Sequence, residues 1–282
     1  MNVNKVMVIG AGQMGSGIAQ VMAQAGISTL LNDVDEKFIQ KGIEGITKNL
    51  ARSVEKGKMD AGKKDSILKL IAPAKSLSDA AGCDLVVEAI VENMQVKGKV
   101  FSELDSVCPA HTILASNTSS LPITEIAAST KRPEKVIGMH FMNPVPVMQL
   151  VEIIRGIATT DEVYKVIADL TLKIGKSPVE VRDVPGFVSN RVLQVMINEA
   201  IFCVYEGIAT PEGIDTVMKL GMNHPMGPLA LADLIGLDTV LSILEIMYNG
   251  YADSKYRPCP LLRQYVKAGW LGRKSGRGFY KY

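Results

Sequence analysis

The segment Val6-Met7-Val8-Ile9-Gly10-Ala11-Gly12-Gln13-Met14-Gly15 opens the regular structure of this chain. Its four apolar residues predict a short buried strand, and the three glycines follow with the G-x-G-x-x-G spacing. Apolar residues then recur at helical spacing, at Met14, Ile18, Val21, Met22 and Ala25. In such a strand, turn and helix, the glycines permit a tight turn, close approach of a pyrophosphate and close helix packing. The predicted cofactor contacts here are Gly10, Gly12, Gln13, Met14 and Gly15.

An acidic residue follows the second predicted strand. That strand spans Ile27 to Asn32, and Asp33 follows it directly. Asp33 lies roughly 20 residues beyond the glycines, which is where an acid hydrogen-bonds a ribose 2′-hydroxyl. Asp33 therefore predicts a preference for NADH over NADPH, because its carboxylate would repel a 2′-phosphate. A tight turn without any ligand is the alternative interpretation, and the combination of strand, helix and acid makes it the weaker one.

The composition excludes several classes of function. The length of 282 residues favours about two domains, and a net charge of +2 with no block of five like charges argues against nucleic-acid binding. No signal-peptide layout and no apolar run of ~18 residues are present, which predicts a cytoplasmic protein without membrane contact. The cysteines are scattered and are predicted to be reduced and structural, with no metal site: Cys83, Cys108, Cys203 and Cys259.

The hydrophobic pattern divides the chain into two parts. Up to the Asp183-Val184-Pro185-Gly186 segment, strands alternate with helices, with strands predicted at 84–90, 112–115, 136–141 and 178–181. Beyond it the pattern is helical throughout, with helices predicted at 187–206, 211–220 and 229–247. We therefore expect an α/β dinucleotide-binding domain over residues 1–184 and an all-α domain over residues 185–282. The apolar helix after Pro185 is typical of a bundle core or a dimer interface, and a homodimer is expected.

A polar stretch from Glu36 to Asp65 predicts a helical insertion after the second strand. Within it Lys48, Arg52 and Lys56 recur at every fourth residue and form a basic ridge on one helix face. Such a ridge can hold a phosphorylated ligand, but taken alone it is more often a solvated surface.

Acid/base chemistry is indicated by His140, which ends the strand at 136–141 beside the expected cofactor crevice. If the proline-containing loop after it is a hairpin centred near Pro146, Glu152 lies opposite His140 and can orient the imidazole. A buried core histidine is the alternative. The hydroxyl-rich segment at 116–120 ends another strand, where it either contacts a ligand or caps the next helix through Ser119 or Ser120.

Two features of the C-terminal part are weaker signals. Asn190 lies near the start of the first helix, where an ordinary surface amide is the alternative interpretation. The glycine-rich basic segment at 272–278 is a phosphate-binding candidate, and a flexible tail is an equal alternative.

Taken together, these motifs resemble the L-3-hydroxyacyl-CoA dehydrogenase family, most closely its bacterial short-chain members. The resemblance covers nearly the whole chain, in order. Its segments are Gly10 to Gly15, Leu85 to Ala89 with Glu92-Asn93, Ser116 to Ser120, His140 to Pro144, Pro185 to Phe187 with Asn190-Arg191, and His224 to Pro228.

The resemblance implies a Rossmann-type domain, NAD as cofactor, and 3-hydroxybutyryl-CoA and acetoacetyl-CoA as the substrate pair. It implies that His140 is the catalytic acid/base, that Glu152 is its partner, and that Ser119 and Asn190 contact the reacting oxygens. It also implies NAD contacts from Asp33, Glu92, Lys97, Ser119, Asn143 and Lys274. Finally, it strengthens the interpretation of Lys48 and Lys56 as contacts for coenzyme A phosphates.

Two other functional classes remain open from the sequence. One is an NAD-dependent dehydrogenase of the same architecture that acts on a hydroxy acid or sugar acid without coenzyme A. The other is a non-catalytic dinucleotide-binding protein. The combination of His140, Glu152, Ser119 and Asn190 argues against the second class.

Overall fold

The computed structural model describes residues 2–282 of the chain. Two compact units divide it, one ending at Asp183 and the other running from Val184 to Tyr282. The division lies one residue before the boundary predicted from the sequence. Among the described residues, no helix is both long and apolar enough to cross a bilayer.

The first unit is built on an eight-stranded sheet in the order β3-β2-β1-β4-β5-β6-β7-β8. All neighbouring strands are parallel except β6 and β7, which are antiparallel. The chain starts at β1, runs outward to β3 and returns to β4 on the other side of β1, which creates a crevice at the carboxyl ends of β1 and β4. The strands are β1 Lys5–Ile9, β2 Ser28–Asn32, β3 Ile71–Ala74, β4 Leu85–Glu88, β5 Ile113–Ser116, β6 Val136–Phe141, β7 Leu150–Arg155 and β8 Ser177–Arg182.

Within residues 2–183, six α-helices accompany this sheet, and side chains cap most of their N-termini. Asp35, Asp60, Asn93 and Thr160 each accept a hydrogen bond from a backbone N–H in the first turn of the helix that follows. The helical insertion predicted after the second strand is confirmed as a pair of helices, α2 and α3. The six are α1 Gln13–Gln24, α2 Glu36–Glu55, α3 Ala61–Leu68, α4 Met94–Val107, α5 Ile123–Ala127 and α6 Asp161–Lys173.

The core of the first unit lies between the sheet and these helices. Strands β4, β5 and β6 are buried along their whole length, which explains why their sequences are continuous apolar runs rather than alternating ones. Members of the core include Val6, Val8, Ile18, Leu31, Val87, Phe141, Ile153 and Ile167. This packing fixes the carboxyl ends of the central strands, where the polar residues of the candidate site begin.

The second unit is helical, with α7 Ser189–Tyr205, α8 Pro211–Gly221, α9 Pro228–Ile235, α10 Leu237–Tyr251 and α11 Pro260–Lys267. Two sequence predictions need correction. The helix predicted at 229–247 is two helices, because Gly236 has a φ of +102° and breaks the helical backbone there. The helix predicted from Phe187 begins at Ser189, since Phe187 has a φ of +49°.

Two buried aspartates organise this unit. Asp215 of α8 accepts hydrogen bonds from the N–H groups of Leu229 and Ala230 at the start of α9. Asp233 of α9 accepts from the N–H groups of Phe279 and Tyr280, which attaches the C-terminal segment. The glycine-rich segment at 272–278 also packs within this unit, because Gly272 and Gly278 lie so close to Asp233 that neither has room for a Cβ. The interpretation of this segment as a flexible tail is therefore wrong.

Candidate active site

The glycine turn has the close packing that its spacing predicts. A Cβ at Gly10 would lie 2.4 Å from the carbonyl oxygen of Ala89, and a Cβ at Gly15 would lie 1.7 Å from the carbonyl oxygen of Gly10. At Gly12, by contrast, a Cβ would meet no atom within 4 Å. The turn is therefore packed behind the first and third glycines and open in front of the second, at the N-terminus of α1. This shape and polarity fit a dinucleotide pyrophosphate.

Asp33 is held in place against this turn. One of its carboxylate oxygens accepts a hydrogen bond of 2.7 Å from the N–H of Ala11, and the other accepts one of 2.7 Å from the N–H of Val34. Asp33 also lines a cavity of about 590 Å³ whose other walls include Gly12, Asn32 and Val91. Its position at the end of β2 fits the predicted contact with the adenosine ribose.

A charged cluster lies where β4 ends, and it contains two residues predicted to contact NAD. Lys97 of α4 is 1 % exposed, and its Nζ lies 2.6 Å from Glu88 Oε1 and 3.3 Å from Glu92 Oε2. Burial alone would raise the pKa of Glu92, but the charge of Lys97 and hydrogen bonds from Thr118 and Ser119 lower that pKa below its ordinary value. The structure thus encloses the Lys97 ammonium between carboxylates, and its predicted contact with NAD stays a prediction.

The hydroxyl-rich turn that follows β5 is fastened to Glu92. Its carboxylate Oε1 accepts hydrogen bonds from Thr118 Oγ1 at 2.5 Å, from the Ser119 N–H at 2.9 Å and from the Ser120 N–H at 3.2 Å. The next helix, α5, begins after Pro122, so neither Ser119 nor Ser120 is its N-cap. Of the two interpretations of this segment, helix capping is therefore wrong.

His140 and Glu152 form a buried pair between β6 and β7. The two strands are antiparallel with His140 directly opposite Glu152, which confirms the predicted hairpin register. His140 Nδ1 lies 2.8 Å from Glu152 Oε2, and the two residues are 8 % and 2 % exposed. A carboxylate at this distance fixes the orientation of the imidazole and favours the tautomer with hydrogen on Nδ1.

Further hydrogen bonds join the end of β6 to its neighbours, through residues that the sequence reasoning did not identify. Asn117 accepts a hydrogen bond of 2.9 Å from the Phe141 N–H, which links the histidine strand to the hydroxyl-rich turn. Lys176 is 7 % exposed, and its Nζ donates to the carbonyl oxygens of Val145 and Met148 at 2.6 Å each. No sequence signal marks Lys176, whereas Asn117 lies inside a segment that the family resemblance includes.

Asn143, a predicted NAD contact, follows β6 and lies beside the glycine turn. Its Oδ1 accepts a hydrogen bond of 3.0 Å from Gln13 Nε2 in the first turn of α1. Val145 packs so closely on α1 that a Cβ at Gly17 would lie 2.8 Å from its Cβ. The loop after the histidine strand is therefore connected to the glycine turn.

A groove of about 810 Å³ runs between the glycine turn, the β6–β7 loop and the face of α2. The α2 residues that line it include Lys41, Lys48, Asn49 and Arg52. Lys56, predicted together with Lys48 as a coenzyme A contact, is an exposed residue at the C-cap of α2 and does not line this groove. The basic ridge thus faces a cavity along most of its length.

Two predicted site residues belong to the second unit. Asn190 lies in the first turn of α7 and is 9 % exposed, which does not fit the alternative of an ordinary surface amide. Lys274 lies in the C-terminal segment, where its Nζ donates a hydrogen bond of 2.7 Å to Asp238. The roles assigned to these two residues stay predictions.

Comparison with known proteins agrees with this arrangement. The protein-family model described as 3-hydroxyacyl-CoA dehydrogenase, NAD binding domain, matches residues 5–184. The family model described as 3-hydroxyacyl-CoA dehydrogenase, C-terminal domain, matches residues 186–282. The chain is 62 % identical over 282 residues to the probable 3-hydroxybutyryl-CoA dehydrogenase of Bacillus subtilis (strain 168), covering 100 % of this chain and 98 % of that protein. It is 54 % identical over 280 residues to the 3-hydroxybutyryl-CoA dehydrogenase of Bradyrhizobium diazoefficiens, covering 99 % and 96 %.

The fold agrees equally well with a solved relative. The crystal structure of (S)-3-hydroxybutyryl-CoA dehydrogenase from Ralstonia eutropha has a TM-score of 0.98 and 47 % identity, covering 100 % of this chain and 99 % of that one.

An open glycine turn and a paired histidine at the carboxyl edge of the same sheet define an NAD-dependent oxidoreductase. The chain belongs to the 3-hydroxyacyl-CoA dehydrogenase family. The predicted family, the Rossmann-type fold followed by a helical domain, and NAD as cofactor are therefore confirmed.

Proposed function

We propose that this enzyme interconverts (S)-3-hydroxybutyryl-CoA and acetoacetyl-CoA with NAD(H), and that His140 is its general acid/base. The observation that carries the proposal is the His140–Glu152 pair, 2.8 Å apart, on a strand whose following loop reaches the glycine turn through Asn143 and Gln13. The position of His140, at the edge of the sheet where a nicotinamide is expected, supports its assignment as the proton-transferring group. The names of the relatives support the choice of substrate.

In this mechanism each residue has a limited task. NAD, when bound, supplies the hydride acceptor or, in its reduced form, the hydride donor. During oxidation of the substrate, His140 removes the proton of the 3-hydroxyl group through Nε2, and during reduction it returns that proton. Glu152 accepts the Nδ1–H and stabilises the imidazolium that forms. The pair supplies proton transfer, which is worth ~10²- to 10⁴-fold in rate.

Ser119 and Asn190 are proposed to bind the reacting oxygens of the substrate. A hydroxyl and an amide can each donate a hydrogen bond to an oxygen that gains negative charge in the transition state. Ser119 lies in the turn that Glu92 fastens, which supports a fixed position for its hydroxyl. Asn190 is buried in the first turn of α7. Buried amides form hydrogen bonds, which supports a role for Asn190 in binding a polar group.

Coenzyme A recognition is proposed for the groove along α2. The 3′-phosphate and diphosphate of coenzyme A need cations far from the reacting carbonyl, and Lys48 and Arg52 line a cavity that borders the glycine turn. A hydroxy acid without coenzyme A would have no use for these charges.

The test is the loss of NADH absorbance with acetoacetyl-CoA, with free acetoacetate and a truncated thioester as parallel substrates. We expect rapid oxidation of NADH with acetoacetyl-CoA and little with free acetoacetate. Equal rates with the free acid would favour the dehydrogenase class without coenzyme A. No turnover with any of the three, despite binding of NADH, would favour the non-catalytic class.

For the whole protein we propose an NAD-binding domain at residues 1–184, a substrate and dimerisation domain at residues 185–282, and a homodimer. Large apolar side chains are exposed on the second unit at Val192, Ile208, Val217, Leu220 and Met222, which supports contact with another copy. Light scattering during gel filtration tests this, and a monomer mass at micromolar concentration would contradict it. We also propose a cytoplasmic location, supported by the four free cysteines, and cell fractionation tests it.

A further inference from the structure

The least explained feature of the first unit is a charged cluster in which Glu88 and Lys97 are buried and Glu92 is about one third exposed. Glu88 is 0 % exposed and Lys97 is 1 % exposed, so both charges are withdrawn from water at a large desolvation cost. Apolar residues of similar size would fill the same space without that cost. The His140–Glu152 chemistry does not use any of these three groups.

The cluster joins three elements of the fold. Glu88 ends β4, Lys97 lies in α4, and Ser116 ends β5. Glu88 Oε1 accepts hydrogen bonds from the Ile90 N–H at 2.7 Å and from Lys97 Nζ at 2.6 Å, and Glu88 Oε2 accepts from Ser116 Oγ at 2.7 Å. The beginning of the hydroxyl-rich turn is therefore attached to Glu88.

The rest of that turn is attached to Glu92. In addition to the N–H of Ser119 at 2.9 Å, Glu92 Oε1 lies 3.4 Å from Ser119 Oγ and 3.2 Å from Ser120 Oγ. All of these bonds fall on Oε1, and they are strongest when Glu92 is an ionised carboxylate. Lys97 is the cation that contacts both carboxylates, at 2.6 Å and 3.3 Å.

We propose that Lys97 is a positioning residue: anchored by Glu88, it holds Glu92 as the ionised acceptor of the 118–120 turn and so fixes the hydroxyl of Ser119. Lys97 then acts on the reaction through Ser119. This inference rests on the proposed role of Ser119 in binding the reacting oxygen of the substrate.

A double-mutant cycle between Lys97→Met and Ser119→Ala tests the proposal. Displacement of a reacting group by about 1 Å can cost about 100-fold in rate, so we expect Lys97→Met to lower kcat about 10- to 100-fold. The Kd for NADH should rise no more in Lys97→Met than it does in Ser119→Ala, because Ser119 is itself a predicted NAD contact and Lys97 acts through it. In the Ser119→Ala background, Lys97→Met should lower kcat by less than about threefold, since its target is already absent.

Each other outcome of the cycle has a definite meaning. If Ser119→Ala alone leaves kcat unchanged, the proposed role of Ser119 is wrong. If Ser119→Ala lowers kcat but Lys97→Met has its full effect in both backgrounds, Lys97 does not act through Ser119 and the inference is wrong. A large rise in the Kd for NADH with little change in kcat would instead identify Lys97 as a cofactor ligand.

The pH profile supplies a readout that a purely structural role would not move. Without the ammonium, the pKa of Glu92 should rise, and protonation would then weaken the hydrogen bonds that the turn donates to this carboxyl group. The ratio of the kcat of Lys97→Met to the kcat of the parent enzyme should therefore fall as the pH is lowered towards neutral, since the acid/base step at His140 is common to both enzymes. Adding Glu88→Gln removes the neighbouring anion and should shift this fall back to lower pH, whereas a purely structural effect would worsen with the second change.

Two further variants keep the test decisive. Lys99→Met makes the same substitution at an exposed residue of the same helix, and it should leave kcat and thermal stability unchanged. If Lys97→Met does not fold, Thr118→Val removes the 2.5 Å hydrogen bond to Glu92, together with the acceptor of the Leu121 and Ser120 N–H groups, and leaves the ion pair intact. Thr118→Val should lower kcat about threefold or more, with no further loss in the Ser119→Ala background. An additive loss there would contradict the inference.

Discussion

Two charged regions of the first unit differ in how their charges are placed. At the carboxyl edge of the sheet, His140 and Glu152 are buried and face each other at 2.8 Å because two antiparallel strands fix their register. On α2, Lys48 and Arg52 are exposed and lie on one face because a helix repeats about every fourth residue. The paired strands fix the orientation of the His140 imidazole. The helix face of α2 produces only a region of positive potential.

These two placements predict which kinetic quantity each region controls. A buried pair acts through direction and distance, so its loss removes stabilisation that is specific to the transition state and lowers kcat. Exposed cations act through a field that extends several ångströms and is screened by salt, so their loss weakens binding and raises KM. A substitution in the buried pair that changed only KM, or one among the exposed cations that changed only kcat, would contradict this assignment.

The largest expected effect is at His140. We expect His140→Gln to lower kcat ~10²- to 10⁴-fold, because glutamine cannot exchange the substrate proton. Glu152→Gln should lower kcat less, since the imidazole remains but loses the carboxylate that orients it and stabilises its cation. Steady-state kinetics with acetoacetyl-CoA and NADH measure both.

Fluorescence titration with NADH and thermal melts are the controls for these two variants. Both should bind NADH with near-normal affinity, because neither residue belongs to the glycine turn. Near-normal turnover of His140→Gln would show that the acid/base assignment is wrong.

An effect of intermediate size is expected at Asp33, a half-buried charge beside the glycine turn. Its two oxygens are fixed by the N–H groups of Ala11 and Val34. The enzyme should prefer NADH to NADPH, since a fixed carboxylate repels a 2′-phosphate at short range. Asp33→Ala should reduce the ratio of the two kcat/KM values by about tenfold or more. Equal turnover of the parent enzyme with both cofactors would contradict this.

The sequence predicted the parts of the site that local spacing determines. The glycine turn and Asp33 follow from motif distances, and the His140–Glu152 register follows from counting residues around a hairpin. The Lys97 cluster could not be predicted in this way, because its geometry depends on three elements that are distant in the chain.

Three features of the fold were likewise not predictable from the sequence pattern. Strand β3 was missed, since Ile71-Ala72-Pro73-Ala74 is short and contains a proline, which only an edge strand tolerates. The break at Gly236 was missed because apolar residues continue at helical spacing on both sides of it. Helix α11 was also missed, and it buries only Leu262 completely.

We expect the smallest effects at the basic ridge of α2, where KM should change and kcat should not. We expect Lys48→Met and Arg52→Met each to raise the KM for acetoacetyl-CoA severalfold with little change in kcat, because both line a groove whose lining does not include His140 or Glu152. The increase should shrink as salt is raised, since the Debye length falls from ≈ 10 Å at 0.1 M to about 3 Å at 1 M.

Lys56→Met is the matched control within the same ridge. Lys56 carries the same charge but lies at the end of α2 outside the groove lining, so its removal should raise KM less than the removal of Lys48 does. A truncated thioester without the nucleotide should respond to none of the three substitutions, because it carries no phosphate for them to attract. If Lys48→Met and Arg52→Met impair that thioester equally, or leave the KM for acetoacetyl-CoA unchanged, the ridge is a solvated helix face and the remote binding of coenzyme A lies elsewhere.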